Sequence, residues 1–240
     1  MDTKKINSGS VKMIAHRGVS GIERENTVPA FLAACNRSYY GIETDVRLTK
    51  DGQFVLHHDD DGERVTGGKL SYVISESTLE EIHNIVLPDK DGSFVRQDIR
   101  IPSLAEYVHI CKKYGKKGIL EIKGGYPEEV LVRLVEEIKA LDYLDGIVFI
   151  SFWEENLKIL RKYTSGKMQF LAGELSDEVL EMCKEYHFDL DDAYKYLSKE
   201  WVDKFHAEGL EVNVWTIDDP EKAQIAIDMG VDYITSNILE

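Results

Sequence analysis

Short apolar runs alternate with amphipathic stretches along most of the chain. Residues 11–16 (VKMIAH) predict a strand, and residues 27–39 predict a helix with Pro29 in its first turn, where the missing N–H does no harm. Residues 41–48 and 54–58 predict two further strands joined by Thr49-Lys50-Asp51-Gly52. Asp-Gly between two such runs is a hairpin signal. Residues 60–100 break this rhythm: they are rich in Gly and Asp and predict an excursion with one short helix at 78–85. From residue 103 the period is regular. Helices at 103–114, 128–141, 154–163, 177–186, 199–208 and 220–229 alternate with strands at 118–123, 147–152, 168–172, 188–191, 211–217 and 232–235. Gly115, Gly209 and Gly230 stand where three of these helices must stop.

Repeated βα units with β-branched strands imply a parallel sheet. This many in one chain of 240 residues imply closure. The expected fold is therefore an α/β TIM (β/α)8 barrel with a small insertion after the third strand, at about 60–100, and residues 1–240 are expected to form one domain. Nine candidate strands compete for eight places, so either the hairpin arm near residue 54 or the weak run at 188 lies outside the barrel. An open doubly wound sheet is the alternative, but no G-x-G-x-x-G follows the first strand.

Composition narrows the partners. With 43% hydrophobic and 30% charged residues the chain reads as an ordinary globular protein. A net charge of -15 speaks against nucleic acid and against anionic membranes, because both need a basic patch. A small anionic substrate requires a local cation to reverse the field. Cys35, Cys111 and Cys183 have no pairing pattern and are expected to be reduced thiols. The first ten residues lack the apolar core of a signal peptide, no run is long enough to span a bilayer, and a cytoplasmic location without a membrane anchor is expected.

The chemistry gathers at the predicted strand ends, where barrels of this type carry their sites. The first strand ends in His16-Arg17-Gly18. The second carries Glu43 and Asp45, an i, i+2 pair that faces one side. The hairpin brings His58 opposite or diagonal to that pair, while His57 points to the other face and reads as structural. The strand at 118–123 adds Glu121 and Lys123, again at i, i+2. Three converging carboxylates repel one another unless a cation holds them. An oxygen-only set favours a hard divalent ion, Mg²⁺ or Ca²⁺, over Zn²⁺. His16 and His58 would form a proton-transfer pair, one base and one acid. Arg17 and Lys123 would meet phosphate oxygens.

At this point the sequence resembles a known family. IAHRG (14–18), ENT (25–27), GIETDVRLTKDGQFVLHHD (41–59), PSLAEY (102–107), ILEIK (119–123) and VNVWTI (212–217) are similar, in order, to the motifs of glycerophosphodiester phosphodiesterases. The resemblance implies a TIM-barrel enzyme that cleaves glycerophosphodiesters to glycerol 3-phosphate and an alcohol. It implies Glu43, Asp45 and Glu121 as metal ligands, His16 and His58 as catalytic residues, Arg17 and Lys123 on the phosphate side, and Trp215 as an aromatic pocket wall. The chain departs from the family pattern at Trp153, where an acidic residue is common. It departs again at its end, ITSNILE, where many members carry an aspartate after the threonine, and in the run 59–63. A lysophospholipase D-like enzyme and a non-catalytic phosphodiester-binding barrel are the rival readings.

Other polar features read as ordinary surface. His83, His109 and His206 fall in helical patterns without partners. Cys183 and His187 have i, i+4 spacing but lack the further ligands of a zinc site. Asp189, Asp191 and Asp192 read as a solvated acidic face.

Overall fold

The computed structural model describes residues 2–240. In chain order the elements are β1 (Lys12–Ala15), α1 (Val28–Cys35), β2 (Gly41–Leu48), β3 (Phe54–Leu56), α2 (Glu63–Thr66), α3 (Leu79–His83), α4 (Leu104–Tyr114), β4 (Lys117–Ile122), α5 (Glu128–Ala140) and β5 (Ile147–Ser151). They continue with α6 (Glu154–Arg161), β6 (Met168–Ala172), α7 (Asp177–Tyr186), β7 (Asp189–Ala193), α8 (Lys199–Ala207), β8 (Val212–Trp215), α9 (Pro220–Met229) and β9 (Tyr233–Ser236).

Eight strands pair in parallel and close a TIM barrel, because β1 bonds to both β2 and β9. The ninth, β3, bonds antiparallel to the outer half of β2, with Val46 opposite Leu56. The hairpin arm is thus the strand left outside, and the run at 188 takes a place in the barrel as β7 between β6 and β8.

This placement corrects the solvated-face reading of the aspartates there. A strand closed into a barrel and covered by helices offers water neither face. Asp191 and Asp192 are accordingly buried, and Asp189 pairs with Lys167 at 3.4 Å.

The period-2 alternation sorts the side chains between two cores. Outward residues such as Ile42, Val46, Leu120 and Ile122 pack under the helices, while Ile14, Ile119, Val148, Ile150, Leu171 and Tyr233 fill the barrel. The excursion has its own small core of Val65, Ile74, Ile82, Leu87 and Ile99 against Val55 of β3. The PSLAEY segment proves to be structural. Ser103 and Glu106 form a capping box on α4, and buried Tyr107 donates its hydroxyl to the carbonyl of Ile42 at 2.6 Å.

Gly115 and Gly230 cap α4 and α9 in the left-handed region, as their sequence positions predict. The helix predicted at 27–39 stops at Cys35: Asn36 leaves the helical dihedrals (φ -83°, ψ 10°), and its side-chain amide donates to the carbonyl of Leu32 at 2.9 Å. The three cysteines are free and buried. Among the described residues no helix is long and apolar enough to cross a membrane.

Candidate active site

His16 lies one residue beyond β1, with its amide bonded to the carbonyl of Ser236 on β9 at 2.9 Å. The chain then turns sharply through Arg17 (φ 53°) and Gly18 (φ 74°). A Cβ at Gly18 would stand 2.6 Å from the backbone carbon of Ala30, so only glycine fits. The turn aims the Arg17 amide at Glu43, donating to Oε2 at 2.8 Å. On β2, alternation sends Glu43 and Asp45 inward together, and the β2–β4 register sets Glu121 beside Asp45. Oxygens of these three buried carboxylates lie within 4.8 Å of one another.

The three groups cannot all ionise easily. Burial, then the neighbouring Asp45 charge, pushes the Glu43 carboxyl well above its usual range. The same two causes raise Glu121 to about 7. Burial opposes ionisation of Asp45 as well. However, the charges of Arg17, Lys123 and His58 and a 2.7 Å hydrogen bond from Asn26 hold its carboxyl below the usual range. Its Oδ1 is buried without a hydrogen-bond partner among the described residues. An all-oxygen set with one orphaned oxygen and two carboxyls pushed toward the neutral form fits a hard divalent cation.

The two predicted histidines flank this cluster. His16 directs Nδ1 to Asn237 Oδ1 at 2.7 Å and holds Nε2 3.9 Å from Glu43 Oε2. Burial, then the charge of Arg17, lowers its imidazole to about 4. His58 directs Nδ1 to Asp59 Oδ1 at 2.7 Å, and Arg64 Nε donates to the other oxygen of Asp59 at 2.7 Å. Burial lowers His58 as well, with Arg17 and Lys123 adding to the effect against the charge of Asp45. His57 faces away, as alternation requires, and is held by the carbonyl of Asp59 and the hydroxyl of Tyr72.

The cations are already engaged. Arg17 donates to Glu25 at 2.8 Å and lies 3.3 Å from Asp45, while Glu25 also receives Arg64. Burial alone would raise Glu25, but the two arginines hold it at about 2. Lys123 sits 2.8 Å from Glu121 and 3.6 Å from Asp45. Trp215 and Phe152 also line the pocket and meet edge-on, with ring centroids 6.0 Å apart. His16, Arg17, Glu43, His58, Glu121, Lys123 and Trp215 all line this one pocket.

Five residues around the pocket carry parts that sequence reading did not assign. Asn26, in the left-handed region at φ 52°, braces Asp45 and in turn accepts from Thr44. Asp59 and Asn237 hold the two imidazoles, and Phe152 extends the aromatic wall. Asp191 reaches the pocket as a buried carboxyl with an unpartnered Oδ1. Asn26 and Asp59 at least stood inside quoted motifs. Nothing local marked Asn237, which joins His16 across 221 residues of sequence.

Comparison with known proteins places the chain in a family. Residues 16–239 match the model of the glycerophosphoryl diester phosphodiesterase family. A glycerophosphodiester phosphodiesterase of Caldanaerobacter subterraneus is 31% identical, over 94% of this chain and 93% of that protein. The human glycerophosphodiester phosphodiesterase 1 is 25% identical over 96% of this chain and 79% of its own length. Among solved structures, an Oleispira antarctica phosphodiesterase in complex with the product sn-glycerol-3-phosphate superposes with a TM-score of 0.86 at 24% identity. The match covers 98% of this chain and 96% of that one. A Thermotoga maritima glycerophosphodiester phosphodiesterase gives 0.77 at 28% identity, covering 95% and 94%. The chain belongs to the glycerophosphoryl diester phosphodiesterase family.

Proposed function

We propose that this barrel hydrolyses glycerophosphodiesters to glycerol 3-phosphate and an alcohol, using a divalent cation held by Glu43, Asp45 and Glu121 and proton transfer at His16 and His58. Family membership makes it a glycerophosphodiester phosphodiesterase. The single observation that carries the finer reading is the placement of two imidazoles beside three buried carboxylates. Each imidazole has Nδ1 engaged, at 2.7 Å, which leaves Nε2 for substrate.

Bound there, Mg²⁺ or Ca²⁺ would neutralise the carboxylates and polarise a phosphate oxygen. The chain's own residues do the rest. Glu43, Asp45 and Glu121 would hold that cation and so set where it meets the phosphodiester. One imidazole takes a proton at Nε2 from the attacking oxygen, and the other delivers one at Nε2 to the departing alcohol. Arg17 and Lys123 line the pocket beside the carboxylates and place positive charge where phosphate oxygens gain negative charge. Trp215 and Phe152 give the pocket an aromatic wall.

A lyso-lipid substrate is the second reading. It is favoured by Phe152 and Trp153, which are 44% and 55% exposed at successive positions after β5. The deciding experiment measures glycerol 3-phosphate released from glycerophosphocholine and glycerophosphoethanolamine, with lyso-lipid in parallel. It is run in EDTA, Mg²⁺ and Ca²⁺, with His16→Ala as control. The proposal expects metal-dependent turnover of the small diesters that the variant lacks. Turnover in EDTA, or in His16→Ala, would refute it, and a strong preference for lyso-lipid would select the second reading.

A further inference from the structure

We infer that Asn237, oriented by Asp218, is a positioning residue that fixes which ring nitrogen of His16 carries the proton, and so presents Nε2 to the substrate as a proton acceptor. The inference rests on His16 being a proton-transfer residue.

The orientation of the Asn237 amide follows from its neighbours. Its Nδ2 lies 2.6 Å from Asp218 Oδ2, and its backbone N–H donates to Asp218 Oδ1 at 2.7 Å. An ionised carboxylate only accepts, so the nitrogen of the side-chain amide must face it. The amide oxygen is thereby turned to the other side, where Ser20 Oγ donates to it at 2.6 Å and His16 Nδ1 approaches to 2.7 Å. An amide oxygen cannot donate, so the proton of that contact belongs to His16 Nδ1. In neutral His16 the lone pair then resides on Nε2, the nitrogen on the Glu43 side.

Asp218 is itself held in place. Ser236 donates its hydroxyl to Asp218 Oδ1 at 2.9 Å and, through the same Oγ, receives the amide of Leu239 at 2.9 Å. The chain thus uses the segment just after β8 and the last turn after β9 to set the chemistry at the end of β1. This gives a purpose to Ser236, where the chain's end departs from the family pattern, and to Asn237 beside it.

The two histidines differ in this respect. Asp59 offers His58 a carboxylate, which supports either charge state of the ring by hydrogen bonding. Asn237 offers His16 a neutral acceptor whose geometry selects a tautomer without adding charge. A ring left without that acceptor redistributes its proton between the two nitrogens. Part of the population would then show the substrate an N–H instead of a lone pair.

The test uses the metal-loaded enzyme and three variants. Asn237→Leu removes the acceptor. Asn237→Asp combined with Asp218→Asn exchanges amide and carboxylate, so that His16 keeps an acceptor and residue 218 keeps one oxygen for Ser236 and the 237 amide. His16→Asn gives the baseline. Supporting positioning, kcat of Asn237→Leu falls about 10- to 100-fold with KM changed less than threefold, and the exchanged pair recovers to within about fivefold of wild type. Nitrogen NMR of labelled histidine shows the Nδ1–H tautomer for His16 in the wild type and a mixture or the Nε2–H form in Asn237→Leu. An unchanged tautomer, or a wild-type kcat in Asn237→Leu while His16→Asn is inactive, overturns the inference and leaves the proposed function standing. Full activity of His16→Asn overturns the proposed function itself. If Asn237→Leu does not fold, the single Asn237→Asp, which sets two carboxylates face to face, decides against the double exchange. Its kcat is expected to lie below that of the pair, and equal values overturn the inference.

Discussion

His58 Nδ1 stands 2.7 Å from Asp59 Oδ1, and the other oxygen of that carboxylate receives Arg64 from α2 at 2.7 Å. The excursion between β3 and α4 therefore reaches into the site. Arg64 also grips Glu25, whose other partner is Arg17, so one arginine ties the support of His58 to the end of β1. Orientation of a functional imidazole by such a partner is worth about 10- to 100-fold. Asp59→Ala is expected to lower kcat by that factor, and Arg64→Ala by less, since Asp59 stays in place without it. Steady-state kinetics on glycerophosphocholine check both. A wild-type kcat in Asp59→Ala would show that His58 needs no orienting partner.

The carboxylate cluster gathers repelling groups that a bound cation would relieve. Glu43 and Glu121 are raised by burial and by the charge of Asp45, so the metal-free fold contains repelling groups. Glu121→Gln removes one of them and keeps an oxygen for Lys123, which now sits at 2.8 Å. In EDTA the variant should melt at or above the wild-type temperature. With metal at 100 times Kd the wild type should gain about 2.7 kcal/mol, or roughly 5–10 °C in Tm, and the variant far less. Thermal melts with and without metal measure this. Equal gains in both proteins would remove Glu121 from the ligand set.

Metal affinity should depend on pH with a defined sign. A carboxyl raised to about 7 in the folded state, as Glu121 is, keeps its proton through the weakly acidic range and must lose it to bind a cation. For the metal-free fold, that proton stabilises below the unfolded carboxylate range, and its contribution fades as pH rises through about 7. His16, lowered to about 4, works in the opposite sense: its contribution is present above the unfolded imidazole range and is lost as pH falls toward 4. The two oppose each other in a stability profile, so metal binding is the better measurement. From pH 8 to pH 6 the affinity should fall about tenfold through Glu121 alone. Calorimetry in buffers of different ionisation enthalpy should count at least about one proton released at pH 6, since Glu43 is raised as well. No release at pH 6 would mean that the carboxyls are already ionised without metal.

Much of this architecture was readable from local pattern, and the exceptions have a common cause. Alternation placed Glu43 and Asp45 on one face and His57 on the other, and the Asp-Gly turn fixed the hairpin that carries His58. The βα period gave the barrel. It could not decide which of two weak strands stayed outside, because β7 (DLDDA) reads as polar until its neighbours enclose it. Asp191 and Asp192 read as surface for that reason: charge density suggests water, and closure of the barrel overrules it. Within the site, residues that touch the pocket from a strand end were legible, except Phe152 and Asp191. Those that act through a partner distant in sequence were not, since neither the Asn237 contact with His16 nor the Arg64 contact with Glu25 has any local signal.

The turn at Gly18 joins fold to site closely enough to separate their failures. Its φ of 74° costs a side-chain-bearing residue about 1 kcal/mol or more, and a Cβ would press within 2.7 Å of Ala30. Overpacking of that kind adds another 1–3 kcal/mol or so. Gly18→Ala should therefore lose at least about 2 kcal/mol, lowering Tm by roughly 4–8 °C. The Arg17 amide that donates to Glu43 at 2.8 Å lies in the same turn. Moving the turn away from α1 must also loosen Glu43, so metal affinity should fall along with Tm. Calorimetric titration of the variant, below its melting range, reads the second effect separately. Reduced stability with unchanged metal affinity would show that the turn shapes the barrel rim without positioning the ligand. Loss of both would place Gly18, which touches no substrate, among the residues on which the site depends.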